Sequence, residues 1–377
     1  MDLTAKLIAS ADPRGTLGAP VQRGEAMSKR LIVSRLLHRT GALEAILKLR
    51  ARASTPWLSI LTYHRFPQAD GEEPFDDGVI DVTRDEFERH VACLKKHFTP
   101  IGVDELCAFA AGGRLPRNAV AITFDDGYLD NYEQALPILK RHDCKAIFFV
   151  ATSIITERRM YWWDRVAYLL KRSARDVIVL RYPTFLSIDL AGDRAQAIDR
   201  VLRFIKAREP LDIERLLLEL SRATGVLWTR EQERDLADRL LMNWDHVRSL
   251  QEAGMDVQSH TRTHRVLKTL APQELADELE GSRADLQREL GEPARALAYP
   301  VGNALGSASH IRVALEKAGY EIGLTNGTGP TPLWRPVDRF DMCRQTVGRN
   351  VSEAYLLSIL AVPPLAPKNP SRHSIAG

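Results

Sequence analysis

Five short, almost wholly apolar runs recur along this chain: Leu58–Tyr63, Val120–Phe124, Ala146–Val150, Ala296–Tyr299 and Ile322–Thr325. Stretches with helical spacing lie between them, at Asp85–His97, Asn131–His142, Pro272–Leu290 and Ser309–Ala318. A strand covered on both faces reads as an unbroken apolar run. Alternation of such runs with helices predicts parallel strands joined by crossover helices. Taken by itself, the pattern suits either a barrel or an open sheet. In both, functional groups gather where the strands end at their carboxyl side.

The chain is long enough, at 377 residues with 45% apolar content, to bury a full core without disulfides. Its four cysteines (Cys93, Cys107, Cys144, Cys343) form no C-x-x-C pair, which argues against a structural zinc knuckle. A +6 excess in residues 1–52 leaves the remainder at −3, so nucleic acid is not an expected partner. There is no run of about 18 uncharged apolar residues of the kind a spanning helix needs. Residues 1–26 read as irregular, with Pro13, Gly15, Gly18 and Pro20 breaking any helix, and Met27 is an alternative start. No export signal is visible, which leaves cytoplasm and cell envelope both open.

The alternation divides the chain. Residues 1–56 form an N-terminal segment whose basic stretch, 28–52, reads as helical and carries seven Lys/Arg against Glu44. It is expected either to pack on the main domain or to lie on an anionic membrane surface. Residues 57–152 and 246–350 carry the two parts of the strand–helix unit. Residues 153–245 read as a mainly helical insertion, with helices over Asp212–Thr224 and Arg230–Leu241 and a strand at Val177–Leu180. Residues 351–377 form a helix end and a Pro/Ser-rich, disordered tail.

Two motifs carry most of the chemistry. The apolar run Val120–Phe124 leads directly into Asp125-Asp126-Gly127. Adjacent carboxylates repel unless a cation or proton compensates, so one can ligate a metal while the other serves as a base. The same tripeptide also shapes ordinary strand-to-loop turns. After the short strand Met255–Gln258 comes Ser259-His260-Thr261-Arg262-Thr263-His264. Two histidines four apart suit one metal ion, and equally suit surface or core positions. With Asp-Asp they suggest a two-His, one-carboxylate site. His64 closes the first strand, where it is either a general acid or a structural histidine. Tyr299-Pro300-Val301-Gly302 ends the fourth run.

Together these residues resemble the polysaccharide deacetylase family with the NodB-homology domain, carbohydrate esterase family 4. Thr123-Phe124-Asp125-Asp126-Gly127-Tyr128 and His260-Thr261-Arg262-Thr263-His264 carry the resemblance, over roughly residues 57–152 and 246–345. It implies a distorted (β/α) barrel and metal-dependent removal of N-acetyl groups from an N-acetylhexosamine polysaccharide or exopolysaccharide intermediate. By the resemblance Asp126, His260 and His264 bind one divalent ion, zinc, and Asp125 is the base. No late Leu-x-His follows residue 346. The early Tyr63-His64 is similar to the permuted poly-β-1,6-N-acetylglucosamine deacetylase branch, which makes His64 the general acid. The backbone N–H of Val301 falls where the family places an oxyanion donor. Arg295 is a candidate for the family arginine beside the base, and Arg335–Arg344 for the missing Asp-Trp motif. Trp162, Trp163, Trp228 and Trp244 of the insertion are expected either to stack on sugar rings or to pack a subdomain core. A related C–N hydrolase of a non-sugar amide and a non-catalytic carbohydrate-binding protein are the competing readings.

Overall fold

The computed structural model describes residues 32–52, 57–67, 73–208, 211–327, 329–334, 336–349 and 351–362. The expected irregular stretch 1–26, the alternative start at Met27 and the tail beyond residue 362 lie outside these residues. The strands, in chain order, are β1 (Trp57–Tyr63), β2 (Thr99–Ile101), β3 (Ala119–Phe124), β4 (Ile147–Val150), β5 (Val177–Leu180), β6 (Leu186–Asp189), β7 (Asp256–Ser259), β8 (Ala296–Ala298), β9 (Ile322–Thr325), β10 (Thr331–Pro332), β11 (Met342–Cys343) and β12 (Gln345–Thr346).

One sheet runs β10-β1-β3-β4-β7-β8-β9-β11, with β2 added on β3. From β1 to β11 its pairings are parallel, and β10 lies antiparallel on β1. β11 pairs with β9 and β12 with β1, and only Arg344 separates β11 from β12. The segment Met342–Thr346 is therefore the seam that brings the row round into a nearly closed barrel, the distorted (β/α) barrel that the family resemblance implies and one of the two arrangements that the strand pattern left open. The seam itself was not foreseen, because two-residue strands show no periodicity.

Alternate residues of each strand face opposite sides. Leu58 and Ile60, Ala119 and Ala121, Ile147 and Phe149, Ala296 and Ala298, and Ile322 and Leu324 form one buried cluster. It draws on strands all round the sheet, as only a barrel interior can. Leu61, Val120, Ile122, Phe148, Val257 and Leu297 belong to a second cluster with residues of the outer helices, among them Phe87, Leu139, Leu279 and Leu315. Coverage on both sides accounts for the unbroken apolar runs. The interior parity continues past the apolar layer to His64, Asp125 and His260, which sets these side chains at the barrel mouth.

The helices follow their capping signals. The Arg84–His97 helix starts with a Thr83–Glu86 capping box. The Pro272–Leu290 helix has Pro at its first position and ends at left-handed Gly291. Residues 162–240 build four helices, Trp162–Arg172, Arg194–Lys206, Ile213–Thr224 and Arg230–Leu240, and the antiparallel hairpin β5–β6. Leu170, Ile178, Leu180, Ile188, Leu216 and Leu220 give this segment a core of its own. The N-terminal stretch forms helices over residues 32–39 and Ala42–Arg52, broken at Gly41 with φ +71°. Leu43 and Leu47 are buried in the main core, and the Arg50 guanidinium stacks on Trp57 and donates to the Leu360 carbonyl. No described helix is long and apolar enough to cross a membrane.

Gly323 of β9 is required by a close approach. The Tyr299 hydroxyl crosses it to donate to the Phe340 carbonyl at 2.8 Å, and a Cβ at residue 323 would overlap that hydroxyl. Gly323→Ala should destabilise the fold by about 1–3 kcal/mol through overpacking. Urea denaturation reads this directly, and an unchanged midpoint would mean that Tyr299 gives way freely.

Candidate active site

Register brings the candidate residues together. Tyr63 of β1 pairs with Phe124 of β3, and the Asp125 N–H donates to the Tyr63 carbonyl at 3.0 Å, so His64 and Asp125 are neighbours. Val150 of β4 pairs with Ser259 of β7, and the His260 N–H donates to the Val150 carbonyl at 2.9 Å. Asp126, at φ +74°, turns back over the barrel mouth.

Asp126, His260 and His264 offer ligand atoms that all lie within 4.8 Å of one another. Asp126 Oδ1 lies 3.3 Å from Nε2 of each histidine. This oxygen is buried and has no hydrogen-bond partner among the described residues. An orphaned buried carboxylate oxygen is costly, and a cation relieves that cost. His260 Nδ1 lies 2.8 Å from the Ala298 carbonyl. Nδ1 is engaged by that carbonyl, which orients the ring and leaves Nε2, facing Asp126, to a metal. Burial pulls the His264 pKa down to about 4 against the charge of Asp126, which keeps this ring neutral. A carboxylate oxygen and two imidazole nitrogens converging on one point fit a divalent transition metal such as zinc.

The loop that presents the histidines is held from outside. Glu278 accepts from the Arg262 and Thr263 N–H groups at 2.8 and 2.9 Å and pairs with the Thr263 hydroxyl. Thr261 and His264 have φ of +67° and +59°, in the left-handed region that non-glycine residues rarely adopt. From the insertion, Trp163 meets the His264 ring edge-on at 4.9 Å between centroids, and the Tyr161 hydroxyl donates to the Asp126 carbonyl at 2.6 Å.

Arg344 holds Asp125 with two parallel hydrogen bonds, Nη1 to Oδ1 and Nη2 to Oδ2, each 2.7 Å. Both side chains are buried. Burial alone would raise the Asp125 pKa, but the charge and hydrogen bonds of Arg344, aided by His260 and His64, hold it well below the usual carboxylate range. Arg295 does not fill this place. It precedes β8 at the opposite end of the barrel and pairs with Glu321 and Asp104. The arginine beside Asp125 is instead the last residue of Arg335–Arg344, a segment considered from the sequence for another role.

His64 Nδ1 lies 2.8 Å from Asp81 Oδ2, and the same oxygen accepts the His64 backbone N–H at 2.7 Å. That leaves Nε2 available to the cavity. Burial works against the charged ring, yet Asp81, by charge and hydrogen bond, with Asp125 and Asp126 behind it, raises the net pKa. The sequence reading missed Asp81. Its only local signal is a place just past a buried bridge between Arg65 and Ile80. Val301 sits at φ +65°, 43% exposed on the cavity wall. Trp162 also lines the cavity, whereas Trp228 packs on Tyr168 and Trp244 binds Thr156 at 3.0 Å.

Comparison with known proteins follows the geometry. A sequence model described as polysaccharide deacetylase matches residues 112–179 and 221–323. The YxkH protein of Bacillus subtilis (strain 168) is 22% identical over 326 residues, covering 86% of this chain and 82% of its own. A poly-β-1,6-N-acetyl-D-glucosamine N-deacetylase of Staphylococcus aureus (strain MSSA476) is 30% identical over 87 residues, which is 23% of this chain and 30% of that protein. Among solved structures, the Streptococcus pyogenes deacetylase PplD in complex with acetate superposes with a TM-score of 0.53 at 19% identity, covering 81% of this chain and 98% of the other. That last likeness shows a shared fold. On this barrel and with these motifs, the chain reads as a deacetylase enzyme similar to the polysaccharide deacetylase family, whose sequence model matches a little under half of its residues.

Proposed function

We propose that this chain is a metal-dependent hydrolase that removes N-acetyl groups from an N-acetylhexosamine polysaccharide or exopolysaccharide intermediate. The observation that carries the reading is the orphaned Asp126 Oδ1 between two histidine nitrogens, beside a second carboxylate and a histidine of raised pKa. The short match to the Staphylococcus aureus enzyme supports the choice of sugar.

Asp126, His260 and His264 would hold one divalent ion, zinc. When bound, such an ion supplies Lewis acidity, polarising an amide carbonyl and acidifying water. The protein's own groups do the rest. Asp125, kept anionic by Arg344, accepts the proton of the attacking water. The Val301 N–H donates to the developing oxyanion. His64, held as imidazolium by Asp81, gives its Nε2 proton to the departing nitrogen. Acetate and a free amino sugar result.

Acetate release from N-acetylglucosamine oligomers, with and without chelator, tests the reaction. Two variants separate the roles. His264→Ala should empty the metal site as read by elemental analysis. Asp125→Asn should keep the metal and lose about 10²–10⁴-fold in kcat. Full metal content in the first variant, or near-normal turnover in the second, would overturn these roles.

The acid role has a pH signature. Only protonated His64 can donate, so activity falls as pH rises through its pKa. Asp81 is the main group holding that pKa up against burial. Asp81→Asn should therefore move the alkaline limb of kcat/KM to lower pH. An unmoved limb would place the acid elsewhere.

The N-terminal helices support contact with an anionic membrane surface. Ile32, Val33 and Leu36 are exposed on one face, flanked by Arg35 and Arg39. The full chain should co-sediment with phosphatidylserine-containing vesicles and not with neutral ones, and Leu36→Glu should weaken this. Equal recovery with both vesicle types would refute it.

A further inference from the structure

The cavity above the barrel mouth measures about 600 Å³, a size that encloses a drug-sized ligand and holds more than one acetamido group. It is lined by His64, Asp125, Asp126, His260 and His264, and by Trp162 and the Arg194–Lys206 helix of the insertion.

The two adjacent tryptophans do different work. Trp163 is buried, stacks on Tyr161 at 4.5 Å and closes over His264. Trp162 stands perpendicular to it, at 87°, and lines the cavity. Ile198 and Leu202 add apolar lining, Asp199, paired with Arg203 at 2.7 Å, adds a carboxylate, and the Lys206 ammonium stands over the Trp162 ring, 5.6 Å from its centre. A pyranose has the matching character, with C–H groups on its faces and hydroxyls round its edge.

We propose that Trp162 and the inner face of the Arg194–Lys206 helix form a binding shelf for the sugar unit next to the one being deacetylated. The occupant is a pyranose of the substrate chain, seated with a C–H face on Trp162 and its hydroxyls toward Asp199 and Lys206. The insertion thereby sets a preference for oligomers over single sugars. This rests on the deacetylase reading above and adds a specificity-determining surface to it.

The test uses the metal-loaded full chain and N-acetylglucosamine as monomer, dimer and longer oligomers. The wild type should gain in kcat/KM with length. Trp162→Ala should lose about tenfold of that gain, the size of one aromatic contact, through KM, with the metal content kept. Trp162→Phe should restore most of it, which a role in packing alone would not demand. Ala195→Trp, at an exposed position on the same wall, should fill the shelf and flatten the length dependence in a chain whose core is untouched.

A length gain that survives both Trp162→Ala and Ala195→Trp while acetate is still released refutes the shelf and leaves the deacetylase reading standing. The shelf is also read without chemistry. Calorimetric titration of Asp125→Asn with the same oligomers should show affinity rising with length only when Trp162 is present. That result supports the shelf even if the wild type releases no acetate. Affinity independent of Trp162 overturns it.

Discussion

The buried pair between Arg344 and Asp125 governs this architecture. Neither side chain is solvated, and both carboxylate oxygens are met at 2.7 Å. Two charges withdrawn from water are tolerated only with near-ideal geometry, and removing one partner from such a pair costs about 3–5 kcal/mol. Arg344 is also the residue between β11 and β12, the strands that join β9 to β1. Closure of the barrel and orientation of Asp125 are thus one event. If the seam opens, Asp125 loses the charge that keeps it anionic and aimed.

The other site groups depend on backbone held where it would not settle unaided. Asp126, Thr261, His264 and Val301 all have positive φ without being glycine. Such conformations cost on the order of 1–3 kcal/mol each and persist only when their surroundings over-determine them. Glu278 pins the Thr261–His264 turn from the outer helix, and Tyr161 and Trp163 press on it from the insertion. The insertion is therefore part of what shapes the cluster as well as a wall of its cavity.

Much of the barrel was legible because its strands are covered on both faces and so read as apolar runs. The placement of Asp125 and His260 was legible for a local reason, since each follows directly from a strand end and brings Asp126 or His264 with it in a short motif. Arg344 and Asp81 were not. Their partners lie 219 and 17 residues away, and no spacing rule connects them. Arg295 misled because it sits one residue before β8, which places it at the far end of the barrel from residues that follow a strand. The four tryptophans had one signature in sequence and two fates in space, which only packing decides.

The position of Arg344 also bears on how the enzyme comes into being. A chain emerging from the ribosome offers its amino-terminal parts first. Asp125, the histidines and the insertion are all synthesised before residue 344. Until the seam strands emerge, the row from β1 to β9 has two open edges and Asp125 lacks its guanidinium. The contact spans more than half the chain, so it forms only after the cost of closing a very long loop has been met. A nascent or carboxy-terminally clipped polypeptide would thus hold Asp125, Asp126, His260 and His264 and still lack the guanidinium that aims Asp125.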